Sequence, residues 1–280
     1  MSLRLARRAG DAAAALDPLA DTLQAAARSL PRPLRDVLDG VWLGAPLHPA
    51  LTDVPLGSWT AAAAFDAFDA GDAADAAIAV GVLGAVPAAL TGLNDWSHLR
   101  GDSKRIGTVH ALLNATGLVL NVASLALRRG GRRDLGRVLS SVAYGGALVS
   151  AHLGGQLSFG LGVRVNRTAF ESPEQEWQAV LDEGELGPRE LRRVEVDGEP
   201  ALLARATDGR ICAIAATCTH LGGPLHEGER DGDVVVCPWH GSRFDLCSGG
   251  VRGGPAVFPQ PRYEVRVREG RIELRPEPNT

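Results

Sequence analysis

The sequence is short of net charge, of cysteine and of any export leader. Its formal charge is −4 over 280 residues, which gives no reason to expect a polyanion partner, so nucleic acid is not expected. A secretory signal is not expected either. Residues 1–8 are basic, but Asp11, Asp17 and Asp21 interrupt the next stretch, and Arg7-Arg8 has no apolar run behind it. Cysteines number four. Two of them, Cys218 and Cys237, fall in a paired Cys/His motif of the second half. Cys212 sits in an apolar strand pattern (Ile211, Ala213, Ile214), so Cys212 and Cys247 are expected as buried free thiols rather than a disulfide. Length suits about two domains. Mean hydropathy near zero hides an Ala-, Leu-, Val- and Gly-rich first half and a charged, strand-like second half.

What the second half does have is Cys218-Thr-His220-Leu-Gly-Gly-Pro and Cys237-Pro-Trp-His240-Gly-Ser-Arg-Phe244, with sixteen residues between His220 and Cys237. Two thiolates and two imidazoles could hold a tetrahedral zinc. They could equally hold a [2Fe-2S] cluster with sulfur on one iron and nitrogen on the other. The flanks favour the second. Each loop offers one Cys and one His, so two facing loops can split their ligands between two irons. Gly222, Gly223, Pro224, Pro238 and Gly241 suit backbone that passes close to a cluster and donates N–H groups to its sulfurs.

Over about residues 190–276 these motifs resemble the Rieske [2Fe-2S] proteins. The resemblance implies that Cys218 and Cys237 bind one iron and His220 and His240 the other. Quinol-oxidising Rieske proteins usually carry two further, disulfide-linked cysteines, and Gly223 and Trp239 stand in those places. They also have a Tyr two residues after the loop Ser. Ser242 is present as a cofactor-contacting residue, but Phe244 has no hydroxyl. Fewer hydrogen bonds to sulfur should lower the potential, into the lower half of the Rieske range of about −150 to +300 mV.

The first half is expected to be helical. Residues 11–30 form an Ala-rich amphipathic helix, and 34–42 a second short piece with Trp42 suited to a bilayer interface. Four segments near 49–68, 73–93, 106–127 and 135–157 have about the twenty residues that cross a bilayer. Their Ala/Gly content suits close packing, and short connections make them alternate. A soluble bundle is the alternative. His48, His98, His110 and His152, with Asp95, then gather at one end. Spacing of i, i+4, i+7, i+11 puts polar or small residues on one inward stripe per helix: Asp53, Gly57, Thr60, Ala64; Gly84, Ala88, Thr91, Asp95; His110, Asn114, Gly117, Asn121; Ser141, Gly145, Leu148, His152. His48, His110 and His152 are candidate cofactor-binding residues for haem b or another metal, with His110 and His152 the best axial pair, or for proton exchange with a quinone. Interfacial histidines with no cofactor are the plainer alternative. This half resembles a family of small four-helix membrane proteins of unknown function whose first helix opens with His-Pro. The resemblance rests on residues 47–57, 91–95 and 109–111 and covers about 38–160.

The expected architecture is α + β in two domains: an amphipathic segment 1–37, a four-helix transmembrane bundle 38–160, a linker 161–189 with a short helix at 173–181, and an all-β Rieske domain 190–280. Turn dipeptides Asp197-Gly198, Asp208-Gly209, Asp231-Gly232 and Glu269-Gly270 separate its short strands. His226 is read as a surface residue. Lys and Arg number eight on the side of the termini and five on the other, which favours a multi-pass protein of the cell membrane with both termini and the Rieske domain in the cytoplasm. The expected function is single-electron transfer between a redox partner protein, reductase or acceptor, and the membrane domain or another acceptor. Membrane lipid is a partner and quinone a candidate. Two other classes stay open: a membrane oxidoreductase acting at the histidine cluster, and a redox sensor. Oxygenase chemistry needs a mononuclear iron in a large domain after the Rieske domain; the chain stops at Thr280, so it is not expected. An electron-transfer component fits better than a self-sufficient enzyme.

Overall fold

The computed structural model describes residues 3–171 and 176–277. The chain divides into two units, Met1–Leu34 with Pro46–Val163, and Arg35–Ala45 with Arg164–Thr280.

Among the described residues the N-terminal region has seven α-helices: α1 (Leu3–Ala12), α2 (Asp17–Arg28), α3 (Arg32–Asp39), α4 (Leu47–Ala67), α5 (Gly71–Trp96), α6 (Gly101–Arg129) and α7 (Arg133–Gly155). The helix expected over 11–30 is broken after Ala12, and α2 restarts with Pro18 in its first turn. Proline is tolerated there because its missing N–H would have no partner anyway. α2 is bound to the end of α5: Gln24 donates to the carbonyls of Trp96 (2.8 Å) and Leu99 (3.1 Å). Trp96 O is the last carbonyl of α5, one of the terminal carbonyls not taken up within a helix, and Leu99 lies just past that end.

α4 and α5 pack closely because α5 presents glycine. A Cβ on Gly81 would lie 2.2 Å from Trp59, one on Gly84 2.5 Å from Val54, and one on Gly92 2.7 Å from His48. Two of the expected inward stripes hold in the main. α5 buries Ala88, Thr91 and Asp95, and α6 buries Gly117 and Asn121 but leaves Asn114 exposed. The other two are corrected. α4 buries Pro55, Trp59 and Ala62, and α7 buries Ala143, Ala147, Ser150 and Leu153. Close packing selects small and flat side chains there, so Asp53 and His152 face outward.

At the far end of the unit, the buried Arg128 binds Asp66 and Asp75, the latter at 3.0 Å. α5 and α6 are long and apolar enough to cross a membrane, and only 22% and 17% of their apolar stretches are buried. α4 is interrupted by Asp53 and Asp66.

From β1 onward the second unit is built of antiparallel strands. One sheet runs β1-β10-β9-β4-β3-β2, the other β5-β6-β7-β8. The strands are β1 (Gln178–Asp182), β2 (Arg192–Val196), β3 (Glu199–Arg205), β4 (Ile211–Ala215), β5 (Glu229–Asp231), β6 (Val234–Val236), β7 (Arg243–Asp245), β8 (Val251–Gly253), β9 (Arg262–Arg268) and β10 (Arg271–Pro276). Both central residues of Asp197-Gly198 and Glu269-Gly270 have positive φ, the hairpin geometry that these dipeptides favour.

β1 replaces the helix expected over 173–181, of which 173–175 lie outside the described residues. Gln178 pairs with Leu274, and Trp177 lies 4.1 Å beneath the Arg266 guanidinium. The sheet therefore begins inside the segment expected as linker. Leu202, Ile214, Leu225, Val235 and Phe244 form a core between the sheets.

Cys212 and Cys247 form a disulfide with Cα atoms 4.8 Å apart, not two free thiols. Asp245 builds the turn that brings Cys247 to β4 by accepting from the N–H groups of Cys247 (3.1 Å) and Ser248 (2.8 Å).

Candidate metal centre

Two loops carry the candidate ligands, one after β4 and one between β6 and β7. They share one backbone frame. Cys218 N–H donates to Gly223 O (2.8 Å) and Gly222 N–H to Cys218 O (2.9 Å). Cys237 N–H donates to Ser242 O (2.8 Å) and Gly241 N–H to Cys237 O (3.0 Å). In both, the residue four after the cysteine is a glycine with φ of 80° or 75°, where a Cβ would be strained. The sequence repeats because the fold does.

The frames bring four side chains together. Cys218 and Cys237 are buried thiols hydrogen-bonded to each other. Cys237 accepts that bond, and with the N–H groups of Trp239 and His240 it is drawn down to about 7. Cys218 is pushed up by donating it and by burial. The His220 and His240 rings lie 5.2 Å apart at 89°. His220 is 6% exposed and His240 half-buried. Thiol thus meets thiol and imidazole meets imidazole. A single tetrahedral ion would need the four to converge, and among the described residues no three His, Cys, Asp or Glu side chains do. Two-and-two pairing suits a pair of irons with unlike ligands.

Gly223 keeps the space open. A Cβ there would lie 2.7 Å from Cys237 Sγ and 3.1 Å from Trp239. Ser242, fully buried, hydrogen-bonds Cys218, and its Oγ accepts from Ala256 N–H at 3.1 Å. Phe244 is fully buried in the core between the sheets.

Residues 176–264 match the Rieske [2Fe-2S] domain, and residues 44–167 match a predicted membrane protein family (DUF2231). Ferredoxin CarAc of Metapseudomonas resinovorans is 36% identical over 98 residues, 35% of this chain and 92% of its own length. The chain belongs to the Rieske [2Fe-2S] family.

The ferredoxin component of biphenyl 2,3-dioxygenase from Rhodococcus jostii (strain RHA1) is 32% identical over 31% of this chain and 81% of its own. Among solved structures, the ferredoxin of carbazole 1,9a-dioxygenase from Nocardioides aromaticivorans IC177 is similar at 28% identity, covering 36% of this chain and 98% of that one, with a TM-score of 0.34. Each of these matches covers about a third of this chain.

In the helical unit two of the four histidines are brought face to edge. His48 and His110 meet with ring centroids 6.4 Å apart at 90°. His48 Nδ1 lies 2.9 Å from Ala88 O, and His110 Nδ1 2.8 Å from Ser150 O. Asn114 reaches His110 Nε2 at 3.1 Å. His98 is buried after the end of α5. The ring against His110 is therefore that of His48, and His152 is exposed. The signal that could have found this pair is Gly92, which makes room for His48. Reading polar residues as inward selects His152 instead of Ser150.

Proposed function

We propose that the chain is a membrane-tethered electron carrier. Cys218 and Cys237 hold one iron of a [2Fe-2S] cluster, and His220 and His240 hold the other. One observation carries the reading: two loops of the same backbone frame bring thiol to thiol and imidazole to imidazole. When bound, the cluster supplies a one-electron redox couple. The backbone N–H groups of His220, Trp239 and His240 and the Ser242 hydroxyl donate to the cysteine sulfurs. That stabilises added negative charge and holds the thiolate form. Phe244 makes no such donation, which places the potential in the lower half of the family's range. Trp239 is exposed, with its ring 6.4 Å from that of His240. It offers an apolar contact for a partner protein beside the least buried ligand. The ferredoxin relatives support a reductase or an acceptor protein as that partner.

Membrane attachment is supported by the match over 44–167 and by the outward apolar faces of α5 and α6, with Val80, Leu83, Val86, Leu90, Leu112 and Val119 all exposed. We take α4 and α7 as the other two spans of a four-helix bundle, lying in lipid. Two signals for the side of the membrane oppose each other. The Lys/Arg balance favours the cytoplasm, whereas a disulfide such as Cys212–Cys247 persists in oxidising compartments. A reporter fused after Thr280 decides between them. The test of the carrier itself is kinetic. A partner reductase reduces the protein in a single-electron step, and quinol analogues give no turnover.

A second reading rests on the His48–His110 pair. Each imidazole has Nδ1 at a backbone carbonyl, which puts the proton there, and His110 Nε2 accepts from Asn114 at 3.1 Å; with that amide displaced, the pair suits a metal or haem ligand or a proton acceptor for quinol. Visible-region absorbance or metal in the helical unit that is lost in His48→Ala and His110→Ala would favour it.

A further inference from the structure

The second unit includes a piece of chain from far upstream. Residues 35–45 belong to it, though both ends of that piece continue in the helical unit. They lie outside the stretch that matches the Rieske domain, as does Arg164. Several of their contacts fall on one place, Gly254-Pro255. Asp36 accepts from Gly254 N–H at 2.8 Å. Asp39 is so close that a Cβ on Gly254 would lie 2.6 Å from its Oδ2. Arg164 donates to Pro255 O and to Asp39 O, both at 2.6 Å, and pairs with the Asp39 carboxylate at 3.4 Å. Both side chains of that pair are buried, at 7% and 2% exposure. Arg164 also has φ 61°, a region costly for a residue with a Cβ and kept only where the surroundings demand it.

The next residue, Ala256, donates to Ser242 Oγ at 3.1 Å, and Ser242 closes the second ligand loop, its backbone oxygen accepting from Cys237 N–H at 2.8 Å, with its hydroxyl directed to the cysteine sulfurs. A hydrogen bond received at Oγ polarises the hydroxyl and strengthens its own donation. We propose that residues 35–45 and Arg164 form a latch that holds the Gly254-Pro255-Ala256 segment against Ser242 and so tunes the potential of the cluster. The latch rests on the cluster proposed for Cys218, His220, Cys237 and His240. Asp36, Asp39 and Arg164 are positioning residues that act through Ser242.

The experiment is a redox titration of the full-length protein in detergent, with iron and sulfide measured on each sample. Asp36→Asn and Asp36→Ala both remove a charge, but only the alanine removes the acceptor for Gly254 N–H. The latch predicts a lower midpoint potential for Asp36→Ala than for Asp36→Asn. It also predicts that this difference disappears when Ser242→Ala is added to both. Arg164→Lys keeps the charge but cannot span Pro255 O and Asp39 O, and it lowers the midpoint too; it carries the test if Asp36→Ala does not accumulate. Equal midpoints for the two Asp36 variants, or a difference that survives Ser242→Ala, overturn the latch. A wild-type protein without iron and sulfide overturns the cluster reading instead, and the two failures are told apart by the metal content.

Discussion

The two units solve opposite packing problems. In the β unit the large apolar side chains are inside: Leu202, Leu203, Ile214, Phe244, Ile272 and Leu274 are at or near zero exposure. In the helical unit much of the interior is small or polar, with Ala62, Ala74, Asn121, Ser124, Arg128 and Ser150 buried, while Leu83, Val119, Val138 and Val142 are outside. A water-soluble bundle with that distribution would expose its driving force for folding. The same distribution is stable where the surrounding solvent is hydrocarbon, because packing of small residues and internal hydrogen bonds then hold helices together. The β unit holds the two ligand-bearing loops, and the proposed membrane attachment would put lipid against the outer face of the helical unit.

Arg128→Leu strikes the polar interior hardest. It removes the buried cation that Asp66 and Asp75 share, leaving them only the more exposed Arg137 and Arg133, and should destabilise the helical unit by about 3–5 kcal/mol, read from thermal unfolding in detergent. A change below about 1 kcal/mol would mean that this interior is not held by the ion pairs.

On the β side, the covalent tie is the next largest contribution. Replacing Cys212 and Cys247 together by alanine opens a link across 35 residues and should cost about 2–4 kcal/mol in chemical unfolding of the β unit, with the helical unit unaffected.

The sharpest contrast between the two surfaces comes from placing one charge on each. Leu83→Lys, at a position 73% exposed on α5, should cost about 2.5–3.5 kcal/mol of insertion, while Val267→Lys, at a position 45% exposed on β9, should stay within about 0.5 kcal/mol. Membrane fractionation and unfolding read the pair. Equal tolerance would refute lipid as the solvent of α5.

The smallest effect is one of pH. Burial, with Glu199 adding to it, raises the Glu171 carboxyl from the ordinary 4.5 to about 7. A raised pKa means the folded state binds this proton more tightly than the unfolded state. Stability from Glu171 is thus full below about pH 4.5 and lost as pH rises through about 7. Allowing for solvent screening of a half-exposed group, the swing is about 1–2 kcal/mol. Glu171→Gln should flatten that part of the stability profile, and an unchanged profile would rule the group out.

The two loops are legible in the sequence because a local frame repeats: a cysteine, a glycine four residues on, and a histidine between. The tight hairpins are legible for the same reason, since Asp-Gly and Glu-Gly adopt positive φ readily. Pairings made at a distance are not. Cys212 and Cys247 are joined through a turn built by Asp245, and β5, β7 and β8 are three residues long, too short to show alternation. β1 becomes a strand because β10 is there to pair with it. The inward faces of α4 and α7 are misread from the sequence because titratable residues draw the choice, whereas glycine on α5 fixes Trp59 as the inward residue of α4. The sequence of α3 does not announce that its Asp36 and Asp39 meet the segment after β8 while Leu34 and Val37 stay exposed.

Metal and sulfide analysis of the intact, anaerobically purified protein, paired with electron paramagnetic resonance of the reduced form, tests the central claim most directly. The account predicts about two irons and two acid-labile sulfides per chain with the spectrum of a mixed nitrogen–sulfur-ligated pair. Stoichiometric zinc, or iron without sulfide, would contradict it.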